Sequence, residues 1–181
     1  MKEDIKEEII IPEGFEVEIK GHELLIKGKG KETRIQINNS LSIESRDKKI
    51  IIKVEKANKK KKAILYSFVA HIKNVFKGAE NPFVYKLEIC SVHFPMTVSV
   101  DEIGKRVIIK NFLGEKKERV ANIVGDTKVK VQQNIITVES SNKENAGQTA
   151  ANIEIATKIS KRDRRIFQDG IFITEKCGKK I

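Results

Sequence analysis

The stretch Phe15-Glu16-Val17-Glu18-Ile19-Lys20-Gly21, followed by Glu23-Leu24-Leu25-Ile26-Lys27-Gly28, alternates apolar and polar residues on either side of a short turn. That is the signature of a β-hairpin. The same arrangement returns later in the chain. Thr97-Val98-Ser99-Val100 precedes Lys105-Arg106-Val107-Ile108-Ile109-Lys110-Asn111. Two more runs recur in the same order: Glu32 to Ile37 with Lys117 to Ile123, and Ile50 to Glu55 with Asn134 to Glu139. The repeat has a period of about 84 residues, and agreement in order and spacing points to duplication of one unit.

After each last strand the apolar period changes from two to about 3.6. Ile64, Leu65, Phe68, Val69, Ile72, Val75 and Phe76 mark one face of a helix over about 60–77, with Asn58 as N-cap and Gly78 as its left-handed stop. Ala146, Thr149, Ala150, Ile153, Ala156 and Ile159 mark the second helix. There Ser141 to Glu144 reads as a capping box, with Asn145 as the other candidate cap. Its small side chains predict a weaker core in the second copy. A strand closes each copy, Phe83 to Ile89 and Ile171 to Thr174, and Glu80-Asn81-Pro82 interrupts the pattern. The expected architecture is α+β. It consists of two tandem copies of a small antiparallel β-sheet domain, each with one amphipathic helix on its sheet, over residues 1–82 and 83–181.

The composition narrows the function. The 181 residues hold 36 Lys+Arg against 25 Asp+Glu, a formal net charge of +11. An excess of that size points to a polyanionic partner. The last 24 residues carry eight bases against three acids. Two cysteines, Cys90 and Cys177, exclude a disulfide scaffold and a four-cysteine zinc ribbon. Apolar runs such as Ile9–Ile11 are too short for a bilayer span, and the acidic start is not that of a secretory signal. A soluble intracellular protein is expected.

No catalytic constellation is visible. On a strand, Cys90 and His93 would point to opposite faces, and Cys90-x-x-His93 lacks a second pair to complete a metal site. Gly28-Lys29-Gly30-Lys31 lacks phosphate-loop spacing and a following helix. The expectation is a protein with no enzymatic activity, cofactor, metal, membrane or small-molecule substrate.

Three segments have the composition of an RNA surface, with cations for phosphates, small residues for close approach and a few aromatics. The first runs from Lys110 to Lys117, where Phe112 and Leu113 are apolar for a loop and either tuck into the core or face RNA. The second spans Lys158 to Gly170 and packs four bases into five positions, Lys161 to Arg165. The third is the tail Lys176 to Lys180, expected to be flexible. Lys59 to Lys62, which opens the first helix, reads as a solvated polar start.

Asn111-Phe112-Leu113-Gly114-Glu115-Lys116 and the run from Arg164 to Lys176 resemble the signatures of a known family. It is the large-subunit ribosomal protein family numbered six, in its archaeal and eukaryotic form. Further matches are Gly21 with Ile26-Lys27-Gly28, Phe83 to Lys86, and His93-Phe94-Pro95, so the resemblance covers nearly the whole chain. It implies two tandem α+β copies, the C-terminal one binding large-subunit ribosomal RNA near the sarcin–ricin loop and the base of the factor-binding stalk. It further implies a cytoplasmic, ribosome-bound structural protein with neighbouring ribosomal proteins as partners. Carried over by motif position, the RNA-facing residues are Lys110, Asn111, Phe112, Gly114, Lys116 and Lys117, then Lys161, Arg162, Arg164 and Arg165, then Lys176, Lys179 and Lys180. The alternative is a protein–protein module of the translation machinery whose charge is incidental.

Overall fold

The computed structural model describes residues 3–28, 30–46, 48–160, 162–163 and 165–181. The chain divides into two compact units, Met1–Glu80 and Asn81–Ile181. Each unit is α+β, and each carries two antiparallel sheets where the repeat suggests one.

In the first unit, strands β1 (Glu3–Ile10), β5 (Ser42–Arg46) and β6 (Lys49–Ala57) form a sheet in the order β1-β6-β5. Strands β2 (Phe15–Lys20), β3 (Glu23–Gly28) and β4 (Lys31–Gln36) form the other, in chain order. Helix α1 (Lys59–Glu80) buries Leu65, Phe68, Val69, Ile72 and Phe76. They meet Ile50, Ile52 and Val54 of β6 and Leu24 and Ile26 of β3 in one core. Asn58 caps the helix as its sequence suggests, its Oδ1 accepting from the Lys61 amide at 2.8 Å. Gly78, however, is buried within the last turn and does not stop the helix. Lys61 of the basic run donates its Nζ to the Glu55 carbonyl at 2.9 Å.

The second unit repeats this order. Strands β8 (Thr97–Asp101), β9 (Arg106–Lys110) and β10 (Arg119–Asn122) form one meander. The other sheet has five strands in the order β11-β12-β7-β13-β14. They are β11 (Lys128–Gln132), β12 (Ile135–Ser140), β7 (Phe83–Cys90), β13 (Gly170–Lys176) and β14 (Lys179–Lys180). Phe83 to Cys90 therefore does not close the first copy. It is the central strand of the second sheet, antiparallel to both β12 and β13, and its counterpart in the first unit is β1.

Helix α2 (Lys143–Ala156) turns Ala146, Thr149, Ala150 and Ile153 inward. Its cap is Asn142, whose Oδ1 accepts from the Glu144 amide at 2.9 Å, so neither the Ser141 box nor Asn145 starts it. The small side chains do not leave a depleted core. Leu87, Ile109, Ile136, Val138 and Ile171 are fully buried around them, joined by Phe112 from the loop after β9. The tail is ordered: β14 folds back on β13 across a turn at Cys177 (φ 50°) and Gly178 (φ 83°). The Cys177 amide donates to the Val84 carbonyl at 2.9 Å. Burial, joined by the neighbouring Cys177 side chain, pushes the Tyr85 hydroxyl up to about 12. Among the described residues no helix is long and apolar enough to cross a membrane.

Candidate nucleic-acid interface

The loop after β9 is shaped by three left-handed residues within four positions. Asn111 (φ 58°) and Leu113 (φ 51°) flank Phe112, and Gly114 (φ 76°) follows at a conformation that L side chains seldom take. Asn111 is steadied by its Nδ2, which donates to the Pro95 carbonyl at 2.8 Å. The twist drives Phe112 inward to 1% exposure, and Leu113 packs partly against the same core. Phe112 therefore cannot offer its ring to a base, and the expectation of an RNA-facing Phe112 is corrected: it anchors the loop from beneath. Gly114 approaches the exposed Phe94 ring, whose edge would lie 3.6 Å from an added Cβ. Lys116 and Lys117 project into solvent.

Arg119, which the sequence did not single out, organises this region. Its guanidinium lies 4.2 Å from the centre of the Phe112 ring. It clasps Glu115 with two bonds, Nε to Oε2 at 2.8 Å and Nη2 to Oε1 at 2.7 Å. Nη1 donates to the Ala156 carbonyl at 2.9 Å and the Lys158 carbonyl at 3.3 Å. α2 has no basic residue in its last turn, so Arg119 supplies from a strand the cation that a helix C-terminus favours. The first basic segment is thereby joined to the start of the second. The Arg119 contacts hold the Glu115 carboxyl below the usual carboxylate range.

The second segment is pinned at Asp169, 1% exposed. Its Oδ1 accepts from the amides of Val92 at 2.7 Å and His93 at 3.0 Å, and its Oδ2 meets His93 Nδ1 at 2.5 Å. His93 lies beyond the end of β7 in a turn, so the strand geometry expected for Cys90 and His93 does not apply. The His93 ring stacks on Phe167 at 5.2 Å, and Arg162 lies over that same ring at 4.9 Å. Arg165 is exposed and pairs with Asp163 at 3.1 Å within its own turn. Lys161 and Arg164 lie outside the described residues. Lys110 pairs with Glu118 at 2.7 Å.

The third segment is held elsewhere. Lys176 and Lys179 are direct cross-strand partners in the β13–β14 hairpin, with Lys180 exposed opposite Glu175. Like charges placed directly opposite are unfavourable, a cost that a nearby anion relieves. This hairpin abuts Val84 and Tyr85 on β7, whereas Gly170 pairs with Cys90 at the other end. The rise of a strand puts roughly 20 Å between the two basic sites.

Asp169 gives a direct test of how the second segment is held. Burial acts to raise its carboxyl, yet the His93 amide, the His93 ring and the Val92 amide together hold it below its ordinary value. A carboxyl whose folded value is depressed adds stability above its unfolded value, near 4, and loses it as pH falls through the folded one. Asp169→Ala should cost about 1–2 kcal/mol, since the part-buried Val92 and His93 amides lose their charged acceptor. Hydrogen exchange at Val92 and His93 should accelerate with it. Asp169→Asn should give a shallower loss of stability below about pH 4 than the wild type. Unchanged exchange at those amides in the alanine variant would remove Asp169 as the anchor.

Among the described residues no three His, Cys, Asp or Glu side chains converge as metal ligands. Every buried side-chain nitrogen or oxygen among them has a partner. The chain matches a family model described as "Ribosomal protein L6" over residues 11–80 and 94–170, one stretch in each unit. It is 45% identical over 178 residues to the large ribosomal subunit protein uL6 of Methanosarcina mazei, covering 98% of this chain and 100% of that one. It is 44% identical over 174 residues to uL6 of Desulfurococcus amylolyticus, covering 95% of each chain. The uL6 protein of Staphylothermus marinus is 45% identical over 172 residues, 93% of each. Doubled α+β units, a loop wound through Asn111 to Gly114 and near full-length identity at this level have one reading: the chain belongs to the ribosomal protein L6 family.

Proposed function

We propose that this chain, a structural constituent of the large ribosomal subunit and not an enzyme, binds large-subunit ribosomal RNA mainly through its second unit. The reading extends to a position near the sarcin–ricin loop and the base of the factor-binding stalk, in the cytoplasm, with other ribosomal proteins as neighbours. The observation that carries it is the pairing of cationic loops with rigid anchors. Arg119 ties the Lys110 to Lys117 loop to the start of the second segment, and Asp169 pins that segment's end. Cations fixed in place give up little conformational freedom when they meet phosphates, so more of the electrostatic attraction appears as affinity.

Lys110, Asn111, Gly114, Lys116 and Lys117 form the first contact surface in this reading. Arg162 and Arg165 form the second, together with Lys161 and Arg164. Lys176, Lys179 and Lys180 form a third, at a different point of the RNA. The test is a titration of the full chain against protein-free large-subunit RNA across a salt series. For about six phosphate contacts, log K should fall against log salt with a slope of roughly −4 to −5. Salt-insensitive binding, or none, would reject the reading.

A further inference from the structure

A cleft of about 860 Å³ opens at the outer edge of β13, lined by Cys90, Val92, Ile155, Phe167 and Phe172, with Lys158 beside them. Its size falls within the roughly 300–1,000 Å³ typical of small-molecule sites. The edge of β13 is already satisfied here. The Ile171 amide donates to Thr157 Oγ1 at 2.9 Å and the Ile173 amide to Glu154 Oε1 at 3.2 Å. An added strand would gain little from that edge, so its recognition chemistry lies in the cleft's side chains.

Those side chains are unusually apolar for a surface. Val92 is 70% exposed, Ile155 63% and Phe172 37%. Phe167 already carries Arg162 and His93, which leaves Phe172 as the ring open to a ligand. That ring rests over Gly170, where an added Cβ would come within 2.9 Å of it. Lys158 stands in the lining, and Arg162 lies next to it over the Phe167 ring, so the lip is cationic. The two acids in the lining are committed, Glu154 to the Ile173 amide and Asp169 to Val92 and His93.

We propose that this cleft receives one unstacked base of the ribosomal RNA, seated on Phe172 between Ile155 and Val92, with its phosphate held by Lys158 and Arg162. The inference rests on the RNA-binding reading above and deepens it. An aromatic floor with a cationic lip matches a nucleotide, which carries a π-face and a negative charge a few ångströms apart. An apolar peptide would use the floor and gain nothing from the lip.

Two variants of the full chain isolate the base from the phosphates. Phe172→Leu keeps apolar bulk and removes the ring. Gly170→Ala keeps every side chain and displaces the ring. Both should weaken binding to protein-free large-subunit RNA roughly ten- to a hundredfold, the range for losing one stacked base, with the salt slope unchanged. Ultraviolet cross-linking of the wild-type complex should place one nucleotide on the peptide that bears Phe172. Wild-type affinity in folded Phe172→Leu and Gly170→Ala, or cross-linked nucleotides only on other peptides, would overturn the proposal while leaving RNA binding intact. Attachment of a neighbouring protein's peptide to this cleft in intact subunits would also overturn it. A wild-type chain that fails to bind RNA removes the underlying reading, and this one with it.

Discussion

Replacing Phe112 by alanine should lower the unfolding free energy of the second unit by about 3–5 kcal/mol, the range for removing a buried aromatic side chain. Phe112 is 1% exposed and packs with the buried β9 and α2 residues. Alanine would leave a void where β9, the following loop and α2 converge, and would take away the surface on which Arg119 rests at 4.2 Å. Denaturant unfolding of the full chain, with hydrogen exchange to assign the loss to residues after Asn81, measures the effect. Phe112→Leu should cost only about 1 kcal/mol, because most of the volume is kept. The leucine variant should bind RNA with wild-type affinity. A leucine variant as stable as wild type but weakened for RNA would mean that the ring leaves the core to stack on a base.

Phe112 also shows where sequence reasoning stops. Its motif was legible, and so was the choice between core and RNA. The decision rests on the left-handed turns at Asn111 and Leu113, and no apolar periodicity reports a left-handed residue. The duplicated plan was readable because both copies expose one sheet face and bury the other, which leaves period-two runs in the sequence. Strand β1 was hidden by its charges. Ile5 and Ile9 face inward at alternate positions, but Glu3-Asp4 and Glu7-Glu8 obscure the pattern. With β1 unseen, the pattern reads Phe83 to Ile89 as the strand that closes the first copy, although the observed Phe83–Cys90 strand is the counterpart of β1 in the second. Periodicity identifies a strand, and pairing alone identifies its sheet.

The site divides along the same line. Cations show in a sequence because charge is a local property. Their anchors do not, because Arg119 with Ala156 and Lys158, and Asp169 with Val92 and His93, are joined across 37 or more positions. The one legible hint was that Asp169 belongs to the same motif as Arg165 and Phe167. The composition of the tail predicts flexibility, whereas Cys177 and Gly178 close a hairpin that fixes Lys176 opposite Lys179.

Charge reversal at two described cations should have the largest effect on binding. If Arg162 and Arg165 meet phosphates as proposed, Arg162→Glu with Arg165→Glu removes both contacts and sets repulsive charges in their place. The full chain should lose RNA affinity by roughly a hundredfold or more at low salt, and its salt slope should become shallower by about 1.5–2. Arg162→Gln with Arg165→Gln, which removes charge without reversing it, should fall between that variant and the wild type at the same reduced slope. Both arginines are solvent-exposed; Arg165 pairs with Asp163 of its own turn, and Arg162 lies over the Phe167 ring. Thermal unfolding should therefore hardly move, as expected for surface substitutions remote from the core. The Asp169 anchor stays intact in both variants, so Val92 and His93 exchange should match the wild type and separate lost contact from lost structure. Ribosome association that survives the reversal would instead assign the binding to protein contacts, and the net charge of +11 would then be incidental to it.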